Sequence, residues 1–195
     1  MKTENAILMQ QARETLRDKW GLAIGTFFVY LLITGVLQSI PVLGTIGSLI
    51  LSGPLILGAT LFSLSLSRNQ EATFEQIFKG FDNFAIALPA YLLMLLYIVL
   101  WMLLLIVPGI IAALSYSMTF YIIADDNTIS AKDALKKSKA MMQGNKWKLF
   151  CLGFRFFGWF LLCILTLGIG FLWFIPYVHV SMAKFYDDVK ANTVQ

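Results

Sequence analysis

The chain has 195 residues, of which 58% are apolar and only 13% charged, and its formal net charge is +4. Soluble globular chains average roughly 45–50% apolar and about 25% charged. So few charges cannot cover so much apolar surface in water, which excludes an ordinary soluble domain. The basic residues flank apolar segments, so membrane orientation explains the charge without nucleic acid.

Residues 4–18 read as an amphipathic helix, with Leu8, Ala12, Thr15 and Leu16 on one face and Arg13, Glu14, Arg17 and Asp18 on the other. Trp20 follows at the depth where headgroups meet hydrocarbon. The first apolar run begins there without an A-x-A-like cleavage site, so an uncleaved anchor is expected. No acid or base lies between Lys19 and Arg68, between Asp82 and Asp125, or between Arg155 and Lys184. Each gap exceeds the roughly 20 residues of a spanning helix, and the first two hold two passes each. Helices satisfy their own backbone in lipid. The fold class expected is therefore all-α, a single integral membrane bundle over residues 1–195 with six spans.

The spans are expected at about 20–38, 46–66, 84–107, 110–124, 147–166 and 171–183. Ile40-Pro41 with Gly44 forms the first turn, Pro108-Gly109 the second and Leu167-Gly168-Ile169-Gly170 the third. Gly53-Pro54 kinks the second span. Between spans, Phe74, Ile77, Phe78 and Phe81 mark a short interfacial helix. Ser130 and Asp133 form an S-x-x-D cap on another amphipathic helix. It carries Lys132, Lys136, Lys137 and Lys139 on its wet side; Lys146 and Lys148 follow. The turns carry no charge, whereas the N-terminus, 67–82, 125–148 and the tail hold every Lys and Arg except Arg155. The positive-inside rule makes those four segments cytoplasmic, and both termini with them.

A pattern recurs three times: amphipathic helix, interfacial aromatic, span, uncharged turn, span. Pro54, Ser115 and Pro176 stand 61 residues apart, and Trp20, Phe84 and Trp147 stand 64 and 63 apart. Three parallel hairpin repeats with rough threefold symmetry are the hypothesis; periodicity common to any such six-helix chain is the alternative.

These features carry a family resemblance. The stretches ARETLRDKWGLAIG, IPVLGTIGSLILSGPLILG, IVPGIIAALSYSMTFYIIADD, ALKKSKAMMQGNKWKLF and GWFLLCILTLGIGFLWFIPYVHVSMAKFYDD resemble a bacterial integral-membrane family catalogued as a domain of unknown function, DUF975. The resemblance covers residues of about 8 to 189. It implies a multipass bacterial cell-membrane protein and supplies no catalytic residues. A more distant likeness, in helical pattern only, is to the membrane portion of some glycerophosphodiester phosphodiesterases, whose catalytic domain has no counterpart here.

Few residues could carry chemistry. Cys151 and Cys163, twelve apart in one apolar segment, suit neither a metal site nor a disulfide framework. No nucleotide loop, zinc motif or nucleophile elbow is present, so neither a cofactor nor an enzyme is implied. No carboxylate lies inside an expected span, which argues against proton- or sodium-coupled transport. Arg155 lies roughly 12 Å beyond Trp147 along a helix. It either snorkels to the headgroups or shares a polar pocket with His179, Tyr177 and Ser181. The six lysines from Lys132 to Lys148 are candidates for lipid-headgroup contact. The partners expected are membrane lipids, with a membrane protein or a second copy as further candidates. Three functions follow: an accessory or assembly role at the lipid surface, a carrier or channel for a small anion, lipid or amphiphile, and a lipid enzyme. Only His179 could serve the last as acid or base. Replacing Arg155 by Leu separates the pocket from the snorkel: a pocket arginine is expected to lose cellular function, and growth at the wild-type rate would leave only the snorkel.

Overall fold

The computed structural model describes residues 3–39 and 43–193. The described residues form α1 (Asn5–Leu16), α2 (Trp20–Gln38), α3 (Leu43–Ser67), α4 (Gln76–Lys79), α5 (Phe84–Leu104), α6 (Ile106–Tyr116), α7 (Thr119–Asp125), α8 (Ala131–Met141), α9 (Lys146–Leu165) and α10 (Phe171–Thr193), with no strand among them. Five stretches are long and apolar enough to cross a membrane: Trp20–Gln38, Gly44–Ser67, Phe84–Leu104, Ile106–Asp125 and Lys146–Leu165. α10 is not one of them. Its apolar part ends at Ala183, and Lys184, Asp187 and Asp188 follow on the same continuous helix.

Three boundaries differ from the sequence reading. The first turn moves: Gly44 is already helical, and Ile40-Pro41 lies outside the described residues. The second break falls at Leu105, which is extended (φ −161°, ψ 144°) and acts as the N-cap of α6. Pro108 is then the third residue of α6. Its missing N–H falls among the donors that a first turn leaves unpaired anyway, so the proline sits inside the helix start. Gly109 lets α6 close onto α5: a Cβ there would stand 2.3 Å from Met102 Cγ and 3.0 Å from its Cα. Finally, the fourth span is divided at Ser117-Met118 into α6 and α7.

The helices sort into an inner and an outer set. Within the apolar stretches, 61% of the Gly44–Ser67 window and 50% of the Ile106–Asp125 window are buried, against 17%, 11% and 22% for α2, α5 and α9. The second member of each of the first two hairpins is therefore interior and the first faces outward; in the third, α9 faces outward while α10 packs on α1, α2, α3 and α9. α3 packs against both α7 and α10; α2 lies against α3 and α10, α5 against α3 and α6, and α9 against α6 and α10. The outward side chains are apolar, with Leu103 at 80% and Leu167 at 95% exposure on two hairpin tips. Such a surface in water would invite aggregation, but hydrocarbon solvates it. Trp147, at the foot of α9, is 74% exposed and stacks on Phe150, as an interfacial aromatic does.

The short helices lie across the charged end of the bundle. α1 buries Leu8, Ala12 and Leu16 against α10 and α3. α4 is only one turn long and buries Ile77 against α3, with Phe78 left outside. Their crossing is backbone to backbone: a Cβ on Gly58 would stand 1.8 Å from Ile77 O, and one on Gly80 would stand 1.9 Å from Pro54 O. By contrast, Gly21 and Gly25, a small-residue pair at helical spacing, meet nothing within 4 Å. α8 starts with the expected cap, the Asp133 N–H donating to Ser130 Oγ at 3.2 Å, and packs on α5, α6 and α7.

Ser138 of α8 repairs the break between α6 and α7. The Met118 N–H donates to its Oγ at 3.2 Å, and its hydroxyl donates to Ser115 O at 2.8 Å. Both bonds are buried, so their loss strands a backbone donor and removes a carbonyl's partner away from water. Replacing Ser138 with Ala is expected to destabilise the protein by about 1–3 kcal/mol. Thermal unfolding in detergent checks this; an unchanged midpoint would refute the bridging role.

Candidate functional site

At the charged end, α3, α7 and α10 converge on Arg68. This residue follows α3 directly. Its guanidinium reaches Asp125, the last residue of α7, at 2.7 Å and Asp187 of α10 at 2.7 Å. Asp125 also accepts the Tyr186 hydroxyl at 2.8 Å and Lys190 Nζ at 2.5 Å. Lys184 Nζ donates to Ser67 O, capping the carbonyl end of α3 where a cation suits the helix dipole. Tyr186 stacks on Tyr121 with ring centroids 5.4 Å apart. Hydrogen bonds to Asp125 and Asp187 push the Arg68 guanidinium up from its ordinary value. Burial and the bond to Asp125 push the Tyr186 phenol up as well. Every charged group in this cluster is paired, so its role is to clamp the helix ends.

A second clamp ties the N-terminal segment to the last hairpin. Lys148 of α9 meets Asp188 of α10 at 2.6 Å, with the two side chains only 15% and 8% exposed. The Thr3 N–H and hydroxyl donate to the same carboxylate at 3.0 and 2.5 Å, and Asn5 Nδ2 donates to Lys148 O at 2.8 Å. The Lys148 ammonium also lies 5.4 Å from the centre of the Phe185 ring.

The sequence-derived residues fall in different places. Lys132, Lys136, Lys137 and Lys139 are exposed on α8; among the described residues only Lys136 forms an ion pair, with Asp133 at 3.6 Å, and the charge of Lys137 acts on Asp126. Lys146 is half-buried, and Lys148 is held by Asp188. Arg155 is exposed on α9, the placement that the snorkel requires. His179 turns to α2, its ring centroid 4.6 Å from that of Phe27. Ser181 is buried and donates to Tyr177 O at 2.8 Å. Tyr177 meets Phe156 edge to face at 5.6 Å. Thus Tyr177 and Ser181 are joined along α10, while Arg155 and His179 are not brought together.

Tyr177 instead lines a cleft of about 330 Å3 that the sequence reading does not anticipate. Trp159 and Cys163 of α9 and Trp173 and Tyr177 of α10 form its walls, and Arg13 of α1 and Trp20 of α2 close one end. A shallower depression between Arg13, Glu14, Arg17 and Trp20 shares two residues with it. The only sequence signal was three tryptophans far apart in the chain. Among the described residues, no group of three or more His, Cys, Asp or Glu side chains is placed to hold a metal ion.

The described residues are all-helical, with five helices long and apolar enough to span, as a membrane protein requires. The family whose model carries the description "Protein of unknown function (DUF975)" matches residues 99–193, as the resemblance read from the sequence implied. That stretch takes in α6 to α10 with both carboxylates that bind Arg68. No curated protein and no solved structure matches the chain.

The second clamp sets a pH dependence. Burial alone would raise the Asp188 carboxyl, but the bonds from Lys148 and Thr3 outweigh it and hold the group below its ordinary value. A depressed folded value means that its contribution is complete above about pH 4, the unfolded aspartate value, and is lost as the pH falls through the folded one. Wild-type protein is therefore expected to lose thermal stability below about pH 4 more steeply than Asp188→Asn. Parallel melting curves in detergent from pH 7 to pH 3 would count against the clamp.

Proposed function

We propose that the chain is a six-span protein of the bacterial cytoplasmic membrane with both termini in the cytoplasm. In this reading α10 is the sixth span, and three parallel hairpins stand around a pseudo-threefold axis. The role is non-enzymatic, an accessory or assembly function at the lipid surface. What supports the arrangement is the inner and outer sorting. The first two hairpins each give one helix to the centre, α10 packs against α3, and each short helix rests on the preceding hairpin, with α1 resting on α10. The positive-inside distribution puts the charged end in the cytoplasm.

The observation that carries the surface role is α8. Its apolar face is already buried against α5, α6 and α7, while Lys132 and Lys139 stand exposed without a carboxylate partner among the described residues and Lys137 forms no ion pair, its charge acting on Asp126 at longer range. A helix fixed in this way presents its cations to anionic headgroups at little further entropic cost, each adding about 1 kcal/mol near the surface. A carrier path through Arg155 and His179 has less support, because Arg155 is exposed on α9 while His179 packs against Phe27 of α2.

In nanodiscs, anionic lipid is expected to raise the unfolding temperature above that in zwitterionic lipid. Changing Lys132, Lys136, Lys137 and Lys139 together to Gln should remove most of that difference. If the variant keeps the full difference, the lysine face has no part in lipid contact.

A further inference from the structure

The cleft between α9 and α10 is apolar along its length and cationic at one end. Trp159 and Trp173 are each 49% exposed, Cys163 forms a buried part of the wall, and Arg13 with Trp20 closes the end towards α1. Arg13 has no carboxylate or hydrogen-bond partner among the described residues, and neither does the Tyr177 hydroxyl. Arg13 is near enough for its charge to act on that phenol. Arg17 borders the adjoining depression. Two unpaired donors therefore meet at the mouth of an aromatic groove that opens on the outward, lipid-facing side of the bundle.

From this geometry we infer that the cleft holds one anionic phospholipid. Its phosphate takes the charge-assisted bonds that Arg13 can donate, with Tyr177 as a second donor, and one acyl chain lies along Trp159 and Trp173. The three cleft tryptophans suit a ligand that passes from headgroup to hydrocarbon, because indole packs against chains and tolerates the interface. The volume falls within the usual range for a single ligand site, about 300–1,000 Å3. The turn joining the two walls is tight, which fixes the spacing of α9 and α10 there: the Gly170 N–H donates to Thr166 Oγ1 at 3.0 Å, and a Cβ on Gly170 would stand 2.9 Å from Cys163 Sγ. The inference rests on the membrane placement proposed above, which sets Arg13 at headgroup depth, but uses none of the α8 lysines.

The test uses the full chain, delipidated in detergent and titrated with phosphatidylglycerol carrying brominated acyl chains, which quench nearby tryptophan. Quenching is expected to saturate near one lipid per chain, with brominated phosphatidylcholine needing about tenfold more. Arg13→Gln is expected to weaken phosphatidylglycerol binding about tenfold, the size expected of one charge-assisted contact. Arg13 is exposed and bonded to no neighbour, so this variant should melt as the wild type does. Arg155→Gln and the fourfold lysine variant are expected to bind like the wild type. That separates failure of the lysine reading from failure of this one. Equal affinity for the two lipids, undiminished binding by Arg13→Gln, or equal loss in Arg155→Gln would overturn the inference. So would displacement by glycerol phosphate at matching concentration, which would make the site one for a free phosphate ester.

Discussion

α3 and α7 bring their carbonyl ends together beside α10, and such ends are costly to leave bare near hydrocarbon. Arg68 resolves this at the charged end. One planar guanidinium, with its several donors, spans two carboxylates from two other helices. Lysine, a point charge, could not hold both in the same plane. Because Asp125 and Asp187 also engage Lys190, Tyr186 and Ser67, the ends of α3, α7 and α10 form one network. Removing one partner of such a network leaves charge uncompensated in a poorly hydrated place.

The short helices extend this logic. Each has an apolar face too small to hold it at a membrane alone, and each spends that face on protein. α1 does so against α10, and its position is fixed by Thr3 and Asn5 as well as by Leu8, Ala12 and Leu16. The start of the chain is thereby fastened to its end. α8 does the same work for the middle hairpin and lends Ser138 to the interrupted inner helix.

With most of their apolar faces committed inward, these helices offer mainly polar edges, Ile7 and Phe78 apart. Exposed lysines on α8 and unpaired Arg13 on α1 are of this kind. Both readings of function therefore concern anionic headgroups, one by a cationic surface and one by a single groove.

Charge spacing alone was enough to locate the five helices long and apolar enough to span, since hydrocarbon suits a run without ionised side chains whatever its neighbours. The start of α2 at Trp20, the Ser130 cap and the amphipathic faces of α1 and α8 were equally local, set by period and by adjacent residues. The break at Leu105 was missed because a proline reads the same whether it ends one helix or opens the next. What covers each apolar face, which carboxylates receive Arg68 and Lys148, why Arg155 and His179 stay apart and how Arg13 meets Trp173 were decided only by tertiary structure. Those pairings join residues dozens to more than a hundred positions apart, and no periodicity along a chain encodes which helix will lie beside which.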